Sequence, residues 1–166
     1  MNERLYAAAS DLTEEERKRD LRAFFRSIHG TFNHLLLTDR AWLARFTGKR
    51  ELATVTASNG ERIALRSLDQ ELFADFGELR RVRGETDSFI ETWVESLTPE
   101  QLAGTLAYRD STGQPHDHPL WWAISHFFNH QTHHRGQVTT LLLQLGRDPG
   151  GTDLIAMLRE TPPSAG

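Results

Sequence analysis

The hydrophobic pattern of the chain contains three long stretches in which apolar side chains recur every three or four residues. This spacing is typical of amphipathic helices, because it places successive apolar groups on one face. The stretches cover residues 21–46, 67–97 and 119–145, and the second is predicted to be the longest helix. Gly48 and Gly146 follow the first and third stretches as predicted helix ends. The pattern therefore predicts a chain dominated by helices.

Shorter helices are predicted near both ends of the chain. Residues 2–9 form one of them, and the capping box of Thr13 and Glu16 opens another. Towards the other end, Thr152 or Asp153 is expected to cap a last short helix. The Pro-rich segment that follows is expected to be frayed.

Between the long helices the sequence predicts loops. Residues 54–65 are expected to form a small hairpin about Asn59-Gly60, a dipeptide typical of tight hairpin turns. Residues 102–118 are expected to be loop with one strand, while Thr98 and Gln101 cap a short turn before them.

The composition fits a single domain that spans residues 1–166. A hydrophobic fraction of 38% in 166 residues is enough for a hydrophobic core. The net charge of -4 and the pI near 6.0 argue against a surface that binds nucleic-acid phosphates. No signal peptide and no apolar run of about 18 residues are present. We therefore expect a cytoplasmic location, with no membrane and no nucleic acid among the partners.

Cysteine is absent from the chain. This excludes disulfides, thiolate ligands to a metal and a cysteine nucleophile. Any metal ion must therefore be held by histidine, aspartate or glutamate.

Four of the eight histidines lie close together in the third apolar stretch, at positions 126, 130, 133 and 134. On a helical wheel with Leu120 at zero, His130 and His134 fall at about 280° and 320°, at the border of the apolar face. His126 and His133 fall further out, at about 240° and 220°. The pair that best points inward is therefore His130 and His134. The face itself is formed by Leu120, Trp121, Ile124, Phe127, Phe128, Val138, Leu141, Leu142 and Leu145.

Two histidines four residues apart on a helix can bind one divalent ion through their ring nitrogens. This pair lacks the glutamate of the metalloprotease motif, so the alternative is a partly exposed, polar helix flank. His116 and His118 are predicted to be solvated loop residues, because nothing in their spacing relates them to a third ligand.

Asp39 falls within the apolar face of the first stretch, where an ionised carboxylate needs a partner. Arg135 and Gln131 fall within the apolar face of the third stretch, which suggests an Asp39–Arg135 pair between helices. Exposure of Asp39 at the surface is the alternative. His34 lies about 140° from the Phe/Leu face of its helix, so periodicity does not select it as a ligand.

Several segments resemble the DinB/YfiT-like family of metal-binding proteins. They cover residues 25–43, 122–138, 145–146 and 152–157, and the most specific is the pattern Asn-His-x3-His-Arg-Gly-Gln in the second of them. The resemblance implies an all-α four-helix bundle with irregular crossover loops. It also implies one divalent ion, zinc or nickel, bound by His34, His130 and His134.

The same resemblance implies candidate functions. Three neutral imidazoles leave an ion with positions open for water or substrate. Relatives include transferases and isomerases that use low-molecular-weight thiols such as bacillithiol or mycothiol, so a metal-dependent thiol S-transferase with a small-molecule substrate is the first hypothesis. A metal-dependent hydrolase is the second, and a non-enzymatic metal-binding stress-response scaffold is the third. A homodimer is also expected.

No catalytic residue is assigned from the sequence, although His126 and His133 are close enough to contact the ligands. Family members usually carry a longer first helix, so we expect either an abbreviated bundle or a sequence that lacks its beginning. Residues 54–65 are longer than usual for the family, which predicts a different rim around the site.

Overall fold

The computed structural model describes residues 1–160, and the segment predicted to be frayed, residues 161–166, lies outside them. The described chain is mostly helical, with two small hairpins. The helices are α1 Asn2–Ser10, α2 Glu14–Lys18, α3 Ile28–Thr47, α4 Phe76–Glu95, α5 Pro99–Leu102, α6 Leu120–Gln144 and α7 Leu154–Glu160. The strands are β1 Thr54–Thr56, β2 Arg62–Ala64, β3 Thr105–Arg109 and β4 Pro115–Pro119. No helix among the described residues is long and apolar enough to cross a membrane.

The chain forms two compact units. One contains residues 32–131, and the other contains residues 1–31 together with the chain from Thr132 onward. The helices α3 and α6 each have residues in both units. A single domain over residues 1–166 remains a prediction.

One hydrophobic cluster of the unit of residues 32–131 is contributed by α3, α4, α6 and the 3-10 turn Arg50–Ala53. The ring of Phe46 stacks on that of Trp93 with centroids 4.9 Å apart, and meets the edge of Phe127 at 5.7 Å. Ring pairs of this kind stabilise the unit through apolar burial and through their offset and edge-on geometry. The buried residues of the cluster are Leu43, Leu52, Ile90 and Phe127, and the partly buried side chains packed against them are Trp42, Ala44, Phe46, Phe89 and Trp93.

The start of α4 differs from the prediction of a helix from residue 67. The backbone N–H groups of Leu72 and Phe73 donate to Oδ1 of Asn33, at 2.8 and 3.0 Å, which keeps this segment out of a helix. Asp75 then caps α4 by accepting from the N–H of Glu78 at 2.8 Å. The longest helix is therefore α6, with 25 residues, and the prediction for the second stretch was wrong on this point.

Asp39 is buried, and its partner is Arg83 rather than the predicted Arg135. Nη1 of Arg83 donates to Oδ2 of Asp39 at 2.6 Å, and the amide of Gln131 donates to the same oxygen at 3.2 Å. Arg83 also pairs with Asp87 at 2.5 Å. Burial raises the pKa of Asp39 to about 6, against the lowering effect of Arg83. The helical wheel correctly predicted that Asp39 is buried. It could not tell whether Arg135 or Arg83 lies opposite it.

In the other unit, α3 begins later than the apolar spacing predicts. Arg22 and Arg26 adopt left-handed backbone conformations, with φ of 59° and 64°, and Arg26 accepts the N–H of Leu21 at 2.8 Å. This turn brings the backbone of Phe25 close to Gly30 in the first turn of α3. A Cβ on Gly30 would lie 2.2 Å from the carbonyl oxygen of Phe25. Only glycine fits at that approach.

Local capping signals predicted the short helices correctly. In α2, Thr13 accepts the N–H of Glu16 at 3.2 Å while the Glu16 carboxylate accepts the N–H of Thr13 at 2.8 Å. Asp153, rather than Thr152, caps α7 by accepting the N–H of Ala156 at 2.8 Å. Gly146 follows α6 with a φ of 73°, as predicted for a helix end.

Two antiparallel hairpins occupy the loops. The first, β1–β2, turns at Asn59-Gly60 as predicted. The second pairs Thr105 to Arg109 with Pro119 to Pro115, where the sequence predicted loop with one strand. The residue preceding α6 is thus the last residue of β4.

The exposed side of α6 differs from the predicted apolar face. Trp121 is 55% exposed and Phe128 is 38% exposed, although both belong to the predicted stripe. Phe127, Val138 and Leu142 are buried as predicted.

Candidate metal centre

His34 lies on α3, in a run of buried residues from Thr31 to Asp39. The run is buried on all sides of the helix, so the wheel angle of His34 does not mean exposure; its side chain is 5% exposed. Its Nδ1 lies 2.7 Å from the carbonyl oxygen of Leu68. Because a carbonyl only accepts, Nδ1 carries the proton and donates, and Nε2 presents its lone pair.

His130 lies on α6 and is half-buried. Its Nε2 is 3.3 Å from Nε2 of His34, and the ring centroids are 5.3 Å apart. Two nitrogens bound to one tetrahedral zinc ion at 2.0–2.1 Å are about 3.3–3.4 Å apart. The pair is therefore already spaced as two ligands of one ion.

His134 follows His130 by one helical turn and is buried. Its Nδ1 donates to Oε1 of Gln137 at 2.8 Å, and the amide of Gln137 donates to Nε2 of His133 at 3.2 Å. The ring of Phe25 packs beside it with centroids 5.5 Å apart. Nε2 of His134 is thus left as the ligand atom.

The electrostatic environment favours the neutral form of His134. Burial lowers the pKa of its imidazole, His133 lowers it further, and the bond to Gln137 opposes both. A neutral imidazole is the form that binds a metal ion, so binding at this residue costs little proton release.

The three histidines selected by the family resemblance come together. One ligand atom from each of His34, His130 and His134 lies within 4.8 Å of the other two. The donor set is three imidazoles, two of which have the other ring nitrogen bonded to a carbonyl-type oxygen, as metal-binding histidines usually do. Imidazole nitrogens suit zinc and nickel, among other metals. The residues present therefore fit one divalent ion.

The remaining histidines lie outside this cluster. His126 is exposed, with its ring 6.0 Å from that of His130, and His133 is exposed beside Gln137. His116 and His118 lie on β4 rather than in a loop, and His116 pairs with Asp110 at 2.8 Å.

Sequence reasoning missed two groups that orient the ligands. Gln137 could have been found, because it lies three residues after His134 on the same helix face. The carbonyl of Leu68 carries no side-chain signal, since any residue supplies one.

The chain is similar to known proteins of one family, in sequence and in fold. The family model that describes DinB sequences matches residues 1–164 of the chain. Protein DinB of Bacillus subtilis (strain 168) is 25% identical over 156 residues, which cover 92% of this chain and 84% of that protein. The crystal structure of a DinB-like protein from Bacillus cereus ATCC 10987 superposes with a TM-score of 0.61 at 20% identity, covering 91% of this chain and 89% of that one. This last similarity concerns the fold.

Proposed function

The chain belongs to the DinB family, and on that premise we propose that it binds one divalent metal ion through His34, His130 and His134. The observation that carries the proposal is the convergence of three imidazole nitrogens within 4.8 Å on two helices. The four-helix bundle of the family is part of the proposal, and the fold similarity supports it.

Two of the three histidines are oriented by a hydrogen bond from the other ring nitrogen. His34 and His134 present Nε2 because Leu68 and Gln137 accept the protons on their Nδ1 atoms. The same bonds hold the rings in place, which reduces the entropy lost on binding. When bound, a divalent ion supplies Lewis acidity that lowers the pKa of a coordinated water or thiol.

We propose further that the protein is an enzyme that acts with a low-molecular-weight thiol, as an S-transferase. Three histidines leave a fourth position open, and the chain has no cysteine to close it. The family resemblance favours a thiol over water as the external ligand, and the softness of sulfur supports this choice. A hydrolase and a metal-binding scaffold are the alternatives. A homodimer, a small-molecule substrate and the absence of nucleic-acid and membrane partners also remain predictions.

The test is the metal content of protein purified without a nickel column. We expect about one ion per chain in the wild type, and loss of stoichiometric metal in His34→Ala, His130→Ala and His134→Ala, because two imidazoles compete poorly with water. Elemental analysis by mass spectrometry measures this directly.

His116→Ala and His118→Ala serve as matched controls and are expected to retain the metal. Full occupancy in any of the three ligand variants would remove that residue from the site. A metal-free wild type that takes up neither zinc nor nickel on addition would end the proposal.

A further inference from the structure

A cavity of about 530 Å³ opens in the unit of residues 32–131. Its volume lies within the range of small-molecule sites. Its lining combines apolar residues, which we call the floor, with the two serines Ser67 and Ser111 and with three arginines, Arg45, Arg50 and Arg66. The apolar lining consists of Leu37, Ala41, Ala44, Ala53, Leu65 and Leu68.

Arg45 is held in place by aromatic rings. Its guanidinium lies 4.8 Å from the ring centre of Trp42 and 5.4 Å from that of Tyr108. Such cation–π contacts restrain the side chain without neutralising its charge. Partial burial lowers the pKa of Arg45, while Tyr108 and Asp110 act in the opposite direction.

The charge at the cavity is not balanced by ion pairs. Among residues 1–160, no carboxylate lies within salt-bridge distance of Arg45, Arg50 or Arg66. The carboxylate that acts on Arg45 electrostatically is that of Asp110, which already binds His116 at 2.8 Å. Three arginines around an apolar floor therefore form a site complementary to a negative charge.

The cavity adjoins the candidate metal centre. Leu68 lines it, and the carbonyl oxygen of the same residue accepts the Nδ1 proton of His34 at 2.7 Å. Leu37 and Ala41, also in the lining, follow His34 on α3 by about one and two turns. A molecule in the cavity would thus contact Leu68, the residue whose carbonyl orients His34.

From these observations we infer that the cavity binds a small organic anion, with its apolar body on the alanine and leucine floor and its carboxylate, sulfonate or phosphate among Arg45, Arg50 and Arg66. The inference that this anion is the substrate of the metal centre rests on the proposed function. Binding of the anion itself does not.

The experiment uses three probes that share one apolar body and differ in charge: 4-phenylbutyrate, 4-phenylbutanol and 4-phenylbutylamine. Calorimetric titration of the zinc-loaded protein is expected to show the acid binding about tenfold more tightly than the alcohol, and the amine binding most weakly. Arg45→Gln should weaken the acid about tenfold, because this guanidinium is half-buried. Arg50→Gln and Arg66→Gln should each weaken it about two- to fivefold, because they are exposed.

Two further variants separate charge from shape. Arg19→Gln removes an exposed charge that does not line the cavity, and it should leave all affinities unchanged. Ala41→Phe fills the floor, and it should abolish binding of the acid and the alcohol alike while the bound zinc is retained. Equal affinity for acid and alcohol, or arginine variants that bind the acid like the wild type, would overturn the inference.

Repeating the titration on protein stripped by a chelator separates the cavity from the metal centre. The acid should bind with an affinity within about twofold of the zinc-loaded value, since the guanidinium groups, and not the ion, hold its charge. Loss of acid binding on removal of zinc would show that the acid is a metal ligand, and would overturn the inference. A wild type that binds no metal but discriminates among the probes would refute the metal centre and uphold the cavity.

Discussion

Hydrogen bonds to single ring nitrogens decide whether the histidine cluster is ready for a metal ion. The Nδ1 atoms of His34 and His134 each donate to an oxygen that can only accept. The proton is therefore excluded from Nε2 in both neutral rings, and the lone pairs remain available. The two acceptors differ in kind, because Leu68 offers a backbone carbonyl and Gln137 a side chain that can be replaced.

Replacing Gln137 tests the orienting bond. Gln137→Leu should lower the affinity for zinc about 10- to 100-fold without changing the stoichiometry, because His134 loses the acceptor that sets its tautomer. A competition titration against a chromophoric chelator measures the affinity.

The control is Gln144→Leu, a substitution at an exposed position on the same helix. It should bind zinc like the wild type. If both variants match the wild type, the Gln137 bond has no part in metal binding.

The long helices are joined by a buried polar contact as well as by the hydrophobic core. Oδ2 of Asp39, on α3, accepts hydrogen bonds from Arg83 of α4 and from Gln131 of α6. Within the described residues, Oδ1 of Asp39 has no hydrogen-bond partner. Such a pair contributes little net stability compared with an apolar contact, but removing one member leaves a buried charge.

Breaking this pair should be more costly than removing it. Arg83→Met should lower the free energy of unfolding by about 3–5 kcal/mol, since Asp39 is left buried without its cation. Adding Asp39→Asn should recover part of that loss, so the double variant costs less than the sum of the singles. Urea denaturation of the four proteins measures the coupling energy.

Arg135→Met provides the comparison, because the sequence suggested Arg135 as the partner. Combined with Asp39→Asn, it should be additive within about 0.5 kcal/mol. Coupling of Asp39 to Arg135 and not to Arg83 would contradict the structure.

The raised pKa of the Asp39 carboxyl predicts that the stability of the protein depends on pH. Burial raises the pKa of Asp39 to about 6, whereas an unfolded aspartate titrates at about 3.9. The folded state therefore binds more protons than the unfolded state between these values. The stability from this group is full below about pH 4 and is lost as the pH rises through 6.

We expect the free energy of unfolding of the wild type to fall by about 2 kcal/mol, relative to Asp39→Asn, between pH 4 and pH 7. Denaturation curves across this range provide the measurement. Parallel pH profiles for the two proteins would mean that Asp39 titrates normally.

For the whole molecule, the amino-acid inventory limits how the coordination sphere can be completed. Among residues 1–160, the group around His34 that could hold a metal ion consists of three histidines and no acidic side chain. The chain also contains no cysteine. A thiolate ligand to an ion bound there must therefore come from another molecule.

A cobalt-substituted protein makes the binding of such a thiolate visible. Adding a low-molecular-weight thiol should produce a sulfur-to-metal charge-transfer band, because a thiolate is a stronger ligand than water for late divalent metals. The band should strengthen as the pH rises towards the lowered pKa of the thiol. Absorption spectra at millimolar thiol test this.

The alternatives give different spectra. No change with thiol, while water still exchanges at the ion, would favour a hydrolase. An ion inert to both thiol and water would favour a metal-binding scaffold.

Local features could be predicted from the sequence, because they depend on residues three or four positions apart. The capping boxes at Thr13 and Thr98 and the Asn59-Gly60 turn occur where the sequence places them. The inward side of α6, with His130 and His134 at the border of its apolar face, also follows from helical geometry. His34 was selected by family resemblance alone, since residues 31–39 of α3 are all buried and periodicity has no outer face to detect there.

Contacts between distant segments were decided only by the tertiary structure. Asn33 binds the N–H groups of residues 39 and 40 positions away and thereby delays the start of α4. Arg83 is separated from Asp39 by 44 positions, and Leu68 from His34 by 34. The apolar pattern records which side of a helix is buried, but it contains no information on which distant carbonyl or charge lies opposite. For that reason the sequence determined most of the helices and the candidate ligand types, while the folded chain determined how those side chains are held.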